Sequence, residues 1–162
     1  MSEQQTAGGT AAASPVRTMK GQAAVNRIMR GLLRTPLLAR LVGSRLLTLY
    51  VTGRKSGQHY AIPVAYTRDG GDLLIGTPFG WARNLRTGEP VEIQLQGRRR
   101  QAGVQVIADE PGVTDAYATM ARDNHNFAKF NHVGFDANGN PRPADLHQAW
   151  ATGARAFRLT PR

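Results

Sequence analysis

The clearest pattern in the chain is an alternation. Val91, Ile93 and Leu95 are separated by Glu92 and Gln94 and followed by Gln96, which predicts a strand with one buried and one wet face. Leu46 to Thr52 is a run of apolar and β-branched residues that stops at Gly53, and reads as an earlier strand. Gln58 to Thr67 reads as its partner, with Pro63 unable to donate to a ladder and so placed at an edge or a bulge. Asp69-Gly70-Gly71-Asp72 has hairpin-turn composition and leads into a third strand, Leu73 to Thr77. After a turn at Gly97, Ala102 to Ala108 returns as a fifth strand, and Ala154 to Leu159 closes the chain as a sixth.

Helical spacing appears in fewer places. Val25, Ile28, Met29, Leu32 and Leu33 fall on one stripe between Lys20 and Arg34, with Arg27, Arg30 and Arg34 on another face, until Pro36 interrupts. Leu37 to Val42 suggests a second short helical piece. Trp81 to Arg86 is long enough for one or two turns before Gly88. Pro111 opens a helix to about Asn124, with Val113, Tyr117, Met120 and Ala121 on its apolar stripe. Residues 125–143, rich in Asn, Gly, Pro and His, read as a long loop, and Leu146 to Trp150 as a helical turn. Residues 1–19 have no periodicity and are expected to form a flexible tail. The expected architecture is therefore mainly β, of the α+β class. About six mostly antiparallel strands form one domain over residues 20–162 and close into a small barrel that removes exposed edges, with an N-terminal helix and a flanking helix.

Charge adds a direction. Nine basic residues in positions 1–57 stand against the single acid Glu3, so this third of the 162-residue chain carries +8 of the net +10. Such a segment suits an anion: a phosphate-bearing cofactor, nucleic acid, or an anionic membrane surface. There is no cysteine, which excludes a disulfide framework, a thiolate metal site and a cysteine nucleophile. No apolar run is long enough to span a membrane and no secretory signal is evident, so the expected location is cytoplasmic. The arginine face of the N-terminal helix leaves room for a weak peripheral contact with the inner face of the membrane.

Gly53-Arg54-Lys55-Ser56-Gly57 is the sharpest motif. Two glycines allow a tight turn whose amides point outward, and Arg54, Lys55 and Ser56 add charged and polar donors, so the turn can cradle a phosphate. The same residues equally suit a solvated hairpin. They are not a Walker A loop, because Arg54 stands where that pattern needs glycine. His59, His125, His132 and His147 have no metal-ligand spacing, so no metal is expected. Ser56 has no evident base. Arg98-Arg99-Arg100 reads as a solvated hairpin tip, since no aromatic residues interleave with it as stacking platforms for nucleic acid.

Taken together, the segment from Leu47 through Gly53-Arg54-Lys55-Ser56-Gly57-Gln58, then Ile62-Pro63-Val64, Asp69-Gly70-Gly71-Asp72, Trp81-Ala82-Arg83-Asn84-Leu85 and Pro90-Val91, resembles the deazaflavin-dependent nitroreductase family of split-barrel oxidoreductases. The likeness covers roughly residues 24–108, with an echo in Phe157 to Pro161. The resemblance implies a split β-barrel that binds coenzyme F420, with FMN as the alternative. Arg54, Lys55, Ser56 and Gly57 would hold the phosphate and acidic tail, Pro63 and Val64 would line the ring, and Thr77, Trp81 and Asn84 would close over it. It also implies hydride transfer to a small electron-poor acceptor such as a quinone, nitroaromatic or enone. A non-catalytic carrier of the coenzyme and a basic nucleic-acid-binding domain are the competing readings. No catalytic acid or base stands out, although Tyr50, Tyr66, Tyr117 and His125 are candidate proton donors. Two departures from the family pattern occur: Ala65 replaces an aromatic residue after the Pro-Val pair, and the loop before Trp81 is the short Pro78-Phe79-Gly80.

Overall fold

Alternating burial along the strands sets the architecture. In β1 (Leu46–Thr52) Leu47, Leu49 and Val51 are buried while Leu46 and Thr52 are exposed, and β5 (Val91–Leu95) buries Val91, Ile93 and Leu95. The structure, a computed structural model, describes residues 45–162. The expected tail (1–19), basic helix (20–34) and helical piece (37–42) lie outside the described residues. The other strands are β2 (His59–Ala65), β3 (Thr67–Asp69), β4 (Asp72–Thr77), β6 (Arg98–Ile107) and β7 (Arg155–Pro161). They form one sheet in the order β2-β1-β5-β6-β7-β4-β3, with each neighbouring pair antiparallel.

The strand count is seven rather than six because Gln58 to Thr67 is not one strand. It breaks at Tyr66, and its two halves belong to opposite edges of the sheet. β2 ends at Ala65 and β3 begins at Thr67, so the two edges lie within about 7 Å of each other along the chain. A seven-stranded ladder whose first and last strands are one residue apart must curl on itself, and this makes the sheet a split barrel. Tyr66 N–H donates to the Arg45 carbonyl at 3.1 Å, which extends the β1–β2 ladder by one residue beside the seam. Pro63 lies on the edge strand β2, opposite Thr48, where its missing N–H costs no ladder bond.

β4 shows why an alternation rule misses part of the core. Leu73, Leu74 and Ile75 are all buried. Leu73 and Ile75 pair with Leu159 and Phe157 on one face, and Leu74 turns to the other, under the helices. The helices are α1 (Glu110–Asp123), α2 (His125–Phe130) and α3 (Pro143–Ala151). Asp109 caps α1 by accepting from Gly112 N–H at 2.9 Å, with Pro111 in the first turn. Val113, Ala116, Tyr117, Met120 and Ala121 pack with Leu74 and Ala156 into a second core on the outside of the barrel.

Three local expectations change. Residues 125–143 are not a plain loop: Asn124 caps α2 by accepting from Asn126 and Phe127 N–H, and a turn around Asp136 closes with a bridge between Phe135 and Pro141. The short Leu146 to Trp150 turn is the nine-residue helix α3. Arg98-Arg99-Arg100 is not a hairpin tip but the start of β6. The turn is Gln96-Gly97, both with positive φ, and Arg99 lies over the Tyr50 ring at 4.3 Å while bonding Glu92 at 2.7 Å. No helix among the described residues is long and apolar enough to cross a membrane.

Candidate functional site

The basic turn joins β1 to β2 and is closed by two backbone bonds, Gly53 N–H to the Gln58 carbonyl at 2.7 Å and Gly57 N–H to the Gly53 carbonyl at 2.8 Å. Both glycines are required by geometry. Gly57 has φ +68°, and a Cβ on Gly53 would come within 2.7 Å of Ser56 Oγ and 3.1 Å of the Tyr60 ring. The bonds that close the turn leave the Lys55 and Ser56 N–H groups without an acceptor among the described residues. Lys55 and Ser56 are exposed, and Ser56 Oγ accepts from Gln58 N–H at 3.3 Å, so its hydroxyl proton remains available.

A second segment braces the turn. Phe79 N–H donates to the buried Thr77 Oγ1 at 3.1 Å, which starts the Pro78-Phe79-Gly80 loop, and Gly80–Asn84 forms a 3-10 helix. Asn84 at its end accepts from Arg54 N–H at 3.2 Å through Oδ1 and donates to the Trp81 carbonyl at 2.9 Å. The Arg54 guanidinium reaches the Asn84 carbonyl at 3.4 Å and the Glu89 carboxylate at 2.9 Å, both through Nη2. Its Nε and Nη1 donors are not used in these bonds.

The structure thus brings Arg54, Asn84 and Trp81 together. Pro63 and Val64 sit half-buried on β2 and point to opposite faces, Val64 toward the side of Leu47 and Pro63 toward that of Thr48. Thr77 ends β4 and acts through the loop that it anchors. Glu89 escaped the sequence reading: it lies 35 residues from Arg54, and nothing local to Gly88-Glu89-Pro90 marks it as a partner. Beyond the turn, Phe79 and Phe130 are both exposed and meet edge to face, with ring centroids 6.4 Å apart. This contact joins the closing loop to α2.

The candidate proton donors separate by burial. Tyr117 is fully buried, its hydroxyl donates to the Arg155 carbonyl at 3.4 Å, and burial pushes its phenol well above the ordinary range. Tyr66 is buried at the barrel seam. Tyr50 donates to Gln94 at 2.8 Å, and His125 is exposed and stacked on Phe135 at 4.6 Å. Among the described residues no group of three or more His, Cys, Asp or Glu comes together to hold a metal.

The donor set suits a phosphate with a carboxylate tail. It offers an ammonium, two partnerless amides, a hydroxyl and the remaining guanidinium N–H groups, on a turn that glycine alone can form. A solved structure described as a domain-swapped dimer is similar over 90% of this chain and 99% of its own, with 14% identity and a TM-score of 0.47. A pyridoxamine 5'-phosphate oxidase-related, FMN-binding protein from Nostoc punctiforme is similar over 84% of this chain and 79% of its own, with 17% identity and a TM-score of 0.48. No curated protein matches the chain. Residues 23–132, more than half of the chain, match the model of the F420H(2)-dependent quinone reductases, and the chain belongs to that family.

Proposed function

We propose that this chain binds coenzyme F420 and transfers a hydride from its reduced form to a small electron-poor acceptor of the quinone type. The observation that carries this reading is the Gly53–Gly57 turn, where the exposed Lys55 and Ser56, with N–H groups that have no acceptor among the described residues, sit beside Arg54. A phosphate followed by several carboxylates is a ligand of matching charge. When bound, the reduced deazaflavin supplies the hydride. The residues of the chain bind and orient. Lys55, Ser56 and the turn amides hold the anionic end, and Asn84 fixes the turn relative to the Trp81 segment. Pro63 and Val64 lie on opposite faces of the edge strand β2, so each would border the ring only along the strand's edge, and Thr77 positions the loop that covers it. The exposed Phe79–Phe130 pair offers an aromatic surface on which a planar acceptor can stack. The proton comes from water or a nearby exposed group such as His125, since Tyr66 and Tyr117 are buried in the core and Tyr50 is already bonded.

The test is a spectroscopic titration with F420 and with FMN, followed by oxidation of F420H2 on addition of a quinone. Saturable F420 binding and quinone-dependent oxidation are the expected results. Binding without oxidation would make the protein a carrier, preference for FMN would reassign the cofactor, and binding of neither would overturn the proposal.

A further inference from the structure

Glu89 places a carboxylate inside an otherwise cationic turn. Its backbone is fixed by bonds on both sides: Glu89 N–H to the Arg86 carbonyl at 3.1 Å, Gly88 N–H to the Val104 carbonyl at 3.0 Å, and Pro90 leading directly into β5. Gly88, at φ +86°, makes the bend that presents Glu89 to Arg54. The pair is solvent-accessible, with the Glu89 side chain 58% exposed, so water screens it and a ligand of higher charge can replace it. Glu89 and the Asn84 carbonyl together engage Arg54 Nη2, which otherwise would be free to meet an anion on the turn.

We propose that Glu89 is a built-in competitor for the anionic end of the ligand. It holds Arg54 until a phosphate or carboxylate displaces it, and so it selects multiply charged ligands over weakly charged ones. The inference rests on the assignment of the turn as the anion site. Three consequences follow from simple electrostatics. Removing the Glu89 charge raises affinity for anions, because it both frees a donor and removes a like charge. The part of the gain that comes from the freed donor needs Arg54. The gain shrinks as salt is added, because the charges lie at the surface.

The experiment titrates wild type, Glu89→Gln, Arg54→Ala and the Arg54→Ala/Glu89→Gln double variant with inorganic phosphate and, separately, with F420. Trp81 fluorescence reports phosphate binding and coenzyme absorbance reports F420. Glu89→Gln is expected to bind both probes about 3- to 10-fold more tightly at low salt, the effect of one screened surface charge. The gain should be proportionally largest for phosphate and clearly smaller in the Arg54→Ala background, where only the like-charge part remains. Glu89→Ala, which leaves no side-chain amide to bond Arg54, should change affinity in the same direction. Equal or weaker binding by Glu89→Gln, in a protein that melts like wild type, overturns the proposal, as does a gain that persists undiminished without Arg54. A phosphate gain with no F420 binding by any variant keeps the role of Glu89 and removes the proposed function. Failure of every protein to bind either probe overturns both.

Discussion

Asn84 uses both ends of one amide to tie together segments 30 residues apart, accepting from the Arg54 amide and donating to the Trp81 carbonyl. Replacing it with Ala leaves two backbone groups to find water, so stability should fall by about 1 kcal/mol. The turn would also lose its brace, and F420 affinity should drop several-fold. Asn84→Asp keeps the acceptor but loses the donor and adds a negative charge beside Arg54, so it should weaken binding more than Asn84→Ala does. Comparing both variants by thermal melts and coenzyme titration checks this order. The cations themselves act differently. Arg54→Ala/Lys55→Ala removes two charged contacts at a solvated site, each worth roughly 1.5–3 kcal/mol before screening. Affinity should fall about 10- to 1000-fold while the melting temperature hardly moves. Unchanged affinity for both F420 and FMN would make the turn a solvated hairpin.

Among the elements, α1 depends on a close approach to β4. Gly76 and Ala156 pair across β4 and β7, and Ala156 belongs to the core under α1. A Cβ on Gly76 would come within 2.8 Å of the Tyr117 ring and 2.9 Å of Met120 Cε. Tyr117 has nowhere to move, being fully buried and stacked edge-on with Phe127 at 5.2 Å. Gly76→Ala should therefore lower stability by about 1–3 kcal/mol, the usual cost of overpacking, and urea melts can measure it. The strain falls on the outer core, so F420 binding at the folded site should be largely retained. α2 presents an exposed aromatic side chain. Phe130 is 57% exposed, more than a helix packed for stability would leave it. Phe130→Ala should change the melt little and raise the KM for a planar quinone severalfold, with the F420 Kd unaltered. A changed Kd with constant KM would take the Phe79–Phe130 pair out of the acceptor site.

At the level of the molecule, the barrel seam is held by a polar cluster drawn from three places. Asp123 at the end of α1 pairs with Arg45 just before β1 and accepts from Thr67 Oγ1, at the start of β3, at 2.9 Å. Burial pushes the Asp123 carboxyl up, but the hydrogen bonds from Arg45 and Thr67 and the arginine charge outweigh it and leave it below its ordinary value. The proton is therefore bound more weakly in the folded state than in the unfolded one. The resulting stability is fully present above the ordinary aspartate value of about 4 and is lost as pH falls through the depressed folded value. Wild type should be more stable than Asp123→Asn near neutral pH, and the difference should narrow in acid below pH of about 4. Urea melts of both proteins across that range test the sign; a difference that is constant or widens in acid contradicts it.

How much of this was legible in the sequence depends on range. Local order came through well. β1 has the bounds expected from its apolar run, α1 begins at its proline within a residue, and the basic turn is where its glycines put it. These features rest on residues close in the chain: alternation, a cap, and a glycine with φ +68°. Tertiary structure alone decided that Gln58 to Thr67 must break at Tyr66, because only closure of the barrel sends its halves to opposite sheet edges. It decided that all of Leu73, Leu74 and Ile75 are buried, since helices cover the face that alternation would leave wet. It also decided that Arg54 meets Asn84 and Glu89, contacts that span 30 and 35 residues. By itself the sequence determined most of the strands, the helix that opens at Pro111 and the position and charge of the basic turn, because these depend on backbone freedom and charge within a few residues. The seam, the second core and the partners of the turn were decided in three dimensions, because each joins groups that become neighbours only once the sheet has curled.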